Sequence, residues 1–238
     1  MNAPASNSRL WQWLGGMGVA FTVLFIVANV LLDGTPSIKA SPIKIISYYS
    51  AHKASITAGV FVVAFAALAF AFFLIALRRA LSSLDSGSDY LSVAILIGGA
   101  VYLGGLLLTG VLSISLIDAA HYHLQGVAQT LNLLDNDDWL PVVVGLSIVA
   151  LATGMAAIRS QALPRWLSWA SVVLGVLAVS GPIGGIAFLL APVWTLAVGI
   201  VLIRRSSPDA DPRRWHAAPR AMETVSGVGS ESQRIKGS

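Results

Sequence analysis

Residues 91–117 read LSVAILIGGAVYLGGLLLTGVLSISLI, 27 consecutive positions without a charge or a proline. As a helix this stretch is roughly 40 Å long, against about 30 Å of bilayer hydrocarbon. A helix on the surface of a soluble core keeps one polar face, and this one has none. It therefore reads as a membrane-spanning helix. Its small residues fall at helical spacing, Ala100 with Gly104 and Gly105 with Thr109 and Ser113, which lets a neighbouring backbone approach closely in lipid.

The rest of the chain repeats the pattern. Of 238 residues 56% are hydrophobic and only 11% charged, and the mean hydropathy is +0.77. Soluble domains carry nearer a quarter of charged residues, so an integral membrane protein is expected. Uncharged stretches place six spans at about 12–32, 54–77, 91–117, 139–158, 164–181 and 186–203. The fold class expected is all-α: a polytopic bundle of six transmembrane helices. The first stretch is too long for a signal-peptide core and lacks a nearby small-residue cleavage site, so it reads as an uncleaved helix. Between spans one and two, residues 43–52 suit a short interfacial helix with Tyr48 and Tyr49 at headgroup level. Pro192 inside the sixth span is expected to kink it.

Basic residues set the orientation. Twelve of the 15 Lys and Arg fall on one side of such a bundle: Arg9, Arg78, Arg79, Arg159, Arg165 and the seven after position 203. Lys39, Lys44 and Lys53 fall on the other. By the positive-inside rule both termini are cytoplasmic, in a plasma (inner) membrane. The net charge of +4 then reflects topology, and no nucleic-acid partner is expected. Residues 206–238, rich in Ser, Pro, Gly and Arg, read as a disordered basic cytoplasmic tail. Trp11, Trp13, Trp166 and Trp169 at one interface and Trp139 at the other read as membrane-interface anchors.

Apart from Arg165 at the cytoplasmic start of the fifth, the expected spans contain no Asp, Glu, Lys, Arg or His. Ionisable groups at membrane depth mark proton relays and ion paths, so their absence argues against a proton-coupled transporter, a pump or a voltage sensor. Asn29 is the deepest strongly polar side chain, and its simplest partner is a carbonyl one turn back or a neighbouring helix. Without cysteine there are no disulfides, thiolate metal sites or Fe–S clusters. No hydrolase, nucleotide-binding or dinucleotide signature appears, so nothing points to an enzyme and no motif requires a cofactor.

One cluster is site-like. Asp118, His121, Tyr122 and Gln125 share a helix face, with His123 beside them, and His52 is expected on the same outer side. A carboxylate three residues before an imidazole binds a metal or simply orients the ring. An outer-face metal site or bis-His haem on His52, Asp118, His121 and His123 is one expectation; a hydrated acidic loop over 118–138 is the plainer one.

Several short pieces occur together: Tyr48-Tyr49-x-x-His52-Lys53, Ala76-Leu77-Arg78-Arg79, Leu163-Pro164-Arg165-Trp166-Leu167-Ser168-Trp169 and Pro192-x-Trp194. In this order, with six spans, they resemble a group of small bacterial, especially actinobacterial, integral membrane proteins. The resemblance implies the six-span layout and nothing about activity, since no catalytic residues come with it. Function is left with three expectations. The first is an accessory or scaffolding subunit that packs on a protein partner or on itself through Gly/Ala/Ser faces. The second is a binder of lipid or another apolar molecule within the bundle. The third is a small-solute transporter or an outer-face metal or haem protein.

Overall fold

The structure, a computed structural model, describes residues 6–82, 89–180 and 184–205. The tail 206–238, the connection 83–88 and the turn at 181–183 lie outside the described residues, as does the side chain of Trp11. The order is α1 (Ser6–Leu31), α2 (Pro42–Ala51), α3 (Lys53–Ser82), α4 (Asp89–His121), α5 (Gln125–Asp137), α6 (Trp139–Ser160), α7 (Arg165–Ala178) and α8 (Gly184–Arg205). No strand occurs among the described residues. Among the described residues, four helical stretches are long and apolar enough to cross a membrane: Lys53–Leu81, Tyr90–His121, Gln125–Ser160 and Gly185–Arg204. The apolar helices Gly15–Leu31 and Arg165–Ala178 are shorter.

Six of the helices close into a ring, α1–α3–α4–α6–α7–α8 and back to α1. Neighbours run antiparallel, because each connection simply reverses the chain. The ring is sealed where small residues let backbones touch. A Cβ on Gly145 of α6 would lie 2.3 Å from the backbone nitrogen of Tyr102 on α4, and one on Gly175 of α7 would lie 3.0 Å from the Ser147 carbonyl. Hydroxyls and an indole add cross-links suited to apolar surroundings. Ser147 Oγ donates to the Gly175 carbonyl at 2.6 Å, and Trp194 Nε1 of α8 donates to Ser171 Oγ of α7 at 2.8 Å. Thr22 of α1 sits 3.0 Å from the Pro192 carbonyl of α8.

Of the two expected stripes on α4, the one through Gly105 faces inward, where a Cβ would meet Val142 at 2.6 Å. The other faces outward: Ala100 and Gly104 are exposed, and a Cβ on Gly104 would meet nothing within 4 Å.

The length of α4 has a physical cause. Gly98, Tyr102, Gly105 and Thr109 pack level with Ile148, Gly145, Val142 and Asp138, so α6 begins beside Thr109. The twelve residues from Gly110 to His121 therefore run on for about 18 Å. There Leu116, Ile117, Ala119 and Ala120 form a second apolar cluster with Ile45, Ile46 and Tyr49 of α2 and Ala128 of α5. Helices α2 and α5 thus cap one end of the ring; Arg78, Arg79, Arg159, Arg165 and Arg204 belong to the other.

Helix α2 starts where the sequence asks it to. Ser41 is the extended N-cap, its hydroxyl accepting from the Lys44 N–H, and Pro42 opens the first turn. The segment 118–138, expected as a hydrated loop, is helical instead: the end of α4, a turn, then α5. The acidic composition concealed a 3.6-residue period, for Ala128, Asn132 and Asp135 turn toward the cap while Val127, Leu133 and Leu134 stay exposed.

Candidate functional site

A cavity of about 630 Å³ opens inside the ring at its capped end. It is bounded by Phe25, Ala28 and Asn29 of α1 and Leu32 just after it, Val63 and Ala66 of α3, and Leu106 and Thr109 of α4. Asp138, Trp139, Val142 and Val143 at the start of α6, with Gly185 and Phe188 of α8, complete the wall. The volume falls within the range that holds small organic ligands, about 300–1,000 Å³. The space exists because α6 begins level with Thr109 while α3 and α4 run on, and because Ala28, Ala66 and Gly185 present little bulk to it. Aromatic rings close the floor: Phe25 meets Phe188 edge-on at 5.2 Å, and Phe21 bridges Phe25 to Phe70. Phe70 in turn packs 4.9 Å from Tyr102, whose buried hydroxyl has no partner.

Polar groups gather at one end. Asn29 lines the cavity and donates from Nδ2 to the Phe25 carbonyl at 2.8 Å, the one-turn-back bond its position suggests. Thr109 Oγ1 lies 2.6 Å from Asp138 Oδ2 and 3.3 Å from the Gly105 carbonyl, so its single proton goes to the nearer, charged acceptor. Asp138 stands at the N-cap of α6 yet makes no side-chain cap bond. Two features prevent it. Its backbone is helical (φ −76°, ψ −1°), whereas a capping residue is extended. Pro141 also removes the N–H three residues on. The carboxylate turns to Thr109 instead. Burial pushes its pKa above the ordinary carboxylate value, and the Thr109 hydrogen bond pulls the other way.

The chain matches no family model, no curated protein and no solved structure.

Above the cavity, the cap is pinned by α5. Asn132 Nδ2 donates to the Ser37 carbonyl at 3.2 Å and Asn136 Nδ2 to the Asn132 carbonyl at 2.7 Å. The Tyr49 hydroxyl lies 3.5 Å from Asp135 Oδ2, and burial, with the nearby Asp135 charge, raises the Tyr49 pKa. Asp135 itself is pushed up to about 6, first by burial and then by the charge of Asp138, with the Tyr49 hydrogen bond opposing.

The sign of the resulting linkage is clear. A carboxyl group whose folded pKa exceeds its unfolded value holds its proton better when folded, so its contribution is fully present below about 3.8 and is lost as pH rises through about 6. Thermal unfolding in detergent is expected to show wild type losing about 1–2 kcal/mol between pH 4 and pH 7, discounted for the partial exposure of Asp135. Asp135→Asn should flatten that slope. A wild-type profile already flat over this range would contradict the assignment.

The residues expected to hold a metal are placed elsewhere. His52 caps α2, its Nδ1 lying 2.9 Å from the Tyr48 carbonyl and its ring stacked on Tyr48 at 4.5 Å. Asp118 and His121 are exposed near the end of α4, the latter packed against Tyr122. His123 has φ 55° and terminates α4, with its own N–H on the Ala120 carbonyl and the Leu124 N–H on that of Ala119. This is the bond pattern of a Schellman helix stop, at a position glycine usually fills. The structure does not bring His52, Asp118, His121 and His123 together, and no group of three such ligands converges among the described residues.

Trp13, Trp139, Trp166 and Trp169 are all exposed, whereas Trp194 is buried and ties α7 to α8. Sequence reasoning passed over Asp138, one residue before an expected span. Its signal was present: an aspartate abutting Trp139-Leu140-Pro141, where the proline withholds a capping partner.

Proposed function

We propose that this chain is a six-span membrane protein, with both termini in the cytoplasm, that binds an apolar or amphiphilic molecule between its helices. The cavity carries the reading: a space of ligand size, walled by Phe, Val, Leu and Ala, with its polar groups confined to one end. Its experiment is a titration of the purified full-length chain, in mild non-ionic detergent, with an environment-sensitive apolar fluorophore. Saturable binding near one per chain is expected; a signal that only tracks partition into micelles would refute it.

The orientation draws on the charge distribution. Lys39, Lys44 and Lys53 lie with the capped end, and the arginines of α3, α6, α7 and α8 lie at the opposite end. The absence of cysteine makes the test direct, because single cysteines are introduced without background. In intact cells Lys39→Cys is expected to react with a membrane-impermeant maleimide, and Ser160→Cys only after lysis. The reverse pattern would invert the topology.

An accessory role is a second reading, favoured by the outward-facing Ala100 and Gly104 on α4. Cysteine cross-linking at Gly104 is its test, and a chain that stays monomeric at every concentration would remove it.

A further inference from the structure

The polar end of the cavity is unbalanced in charge. Among the described residues Asp138 is the only ionisable side chain in the wall, and no described Lys, Arg or His joins it there. The hydroxyl proton of Thr109 is committed to that carboxylate, and Asn29 Nδ2 donates to its own helix. The end is therefore rich in acceptors with donors already spent. Asp138 makes no cap hydrogen bond to α6, and it also closes the C-terminus of α5, whose partial charge of about −0.5 offsets that of the α6 N-terminus. The first turn of α8, at Gly185, does border the space, and a helix N-terminus favours negative charge. That partial charge amounts to about +0.5, half of what a carboxylate brings with the opposite sign.

We infer that the cavity selects amphiphiles with a cationic, hydrogen-bond-donating head: an ammonium group seated on Asp138, with an alkyl body against Phe25, Val63 and Phe188. This deepens the binding reading above and depends on it. Trp139, next in the chain, also borders the space, and an indole attracts such a cation.

The test uses three probes with one twelve-carbon tail, dodecylamine, dodecanol and laurate, each displacing the apolar fluorophore from the full-length chain at neutral pH. Dodecylamine is expected to displace it at about tenfold lower concentration than dodecanol, with laurate weakest. In Asp138→Asn the three should draw within about threefold of one another, and in Asp138→Glu the order should return. Equal displacement by all three in wild type, or laurate as the best competitor, overturns the inference while leaving the cavity a binding site. So does an order unchanged in Asp138→Asn. Failure of the fluorophore itself to bind removes both.

Discussion

Replacing Gly145 with alanine is expected to destabilise the protein by about 2–3 kcal/mol, and replacing it with leucine to prevent accumulation of folded protein. The reason is where the contacts fall. The first side-chain atom at this position would lie 2.3 Å from the Tyr102 nitrogen, 2.6 Å from its Cα and 2.7 Å from the Gly98 carbonyl oxygen, all of them backbone. A flexible side chain can rotate away from such a clash; a helix backbone cannot. Helix α6 would have to withdraw from α4, breaking the seam that the levels of Gly98, Gly105 and Thr109 define. Gly104 is the matched control on the same seam's outer side, where an alanine meets nothing within 4 Å and stability should hold. Unfolding midpoints in detergent read both variants, and equal midpoints for Gly145→Ala and Gly104→Ala would contradict the packing.

The second large effect is on binding. Ala66 lines the cavity from α3 and is packed among core neighbours at 1% exposure. Ala66→Trp should fill the cavity and weaken the apolar fluorophore by at least about tenfold, equivalent to roughly 1.4 kcal/mol. The unfolding midpoint is read alongside, because the new ring must displace some of the core neighbours of Ala66, at a cost of about 1–3 kcal/mol. Ala28→Phe does the same from α1 and guards against a local failure of α3. Undiminished binding in both variants would move the ligand elsewhere.

The helices of the ring were legible in the sequence because each is an uninterrupted apolar stretch, and expected spans such as 54–77 and 139–158 fall inside α3 and α6. The short helix expected at 43–52 likewise falls on α2, offset by one residue at each end. What the sequence concealed came from contacts between distant segments. The 27-residue run in α4 reads as one long span, yet its last third is apolar to meet α2 and α5, a demand set by residues before and after it in the chain. His123 looks like a ligand beside His121, but its backbone conformation makes it a helix stop. Asp138 looks like an ordinary cap, and only the folded position of Thr109, 29 residues earlier, shows where its carboxylate goes. The cavity is a difference in helix starting levels, which no local pattern encodes.

Native mass spectrometry of the full-length chain, released gently from mild detergent, measures the central claim most directly. The account expects wild type to carry one apolar or amphiphilic molecule per chain, lost at low collision energy and absent from Ala66→Trp. A wild-type chain that emerges uniformly bare, with the same spectrum as Ala66→Trp, would contradict it.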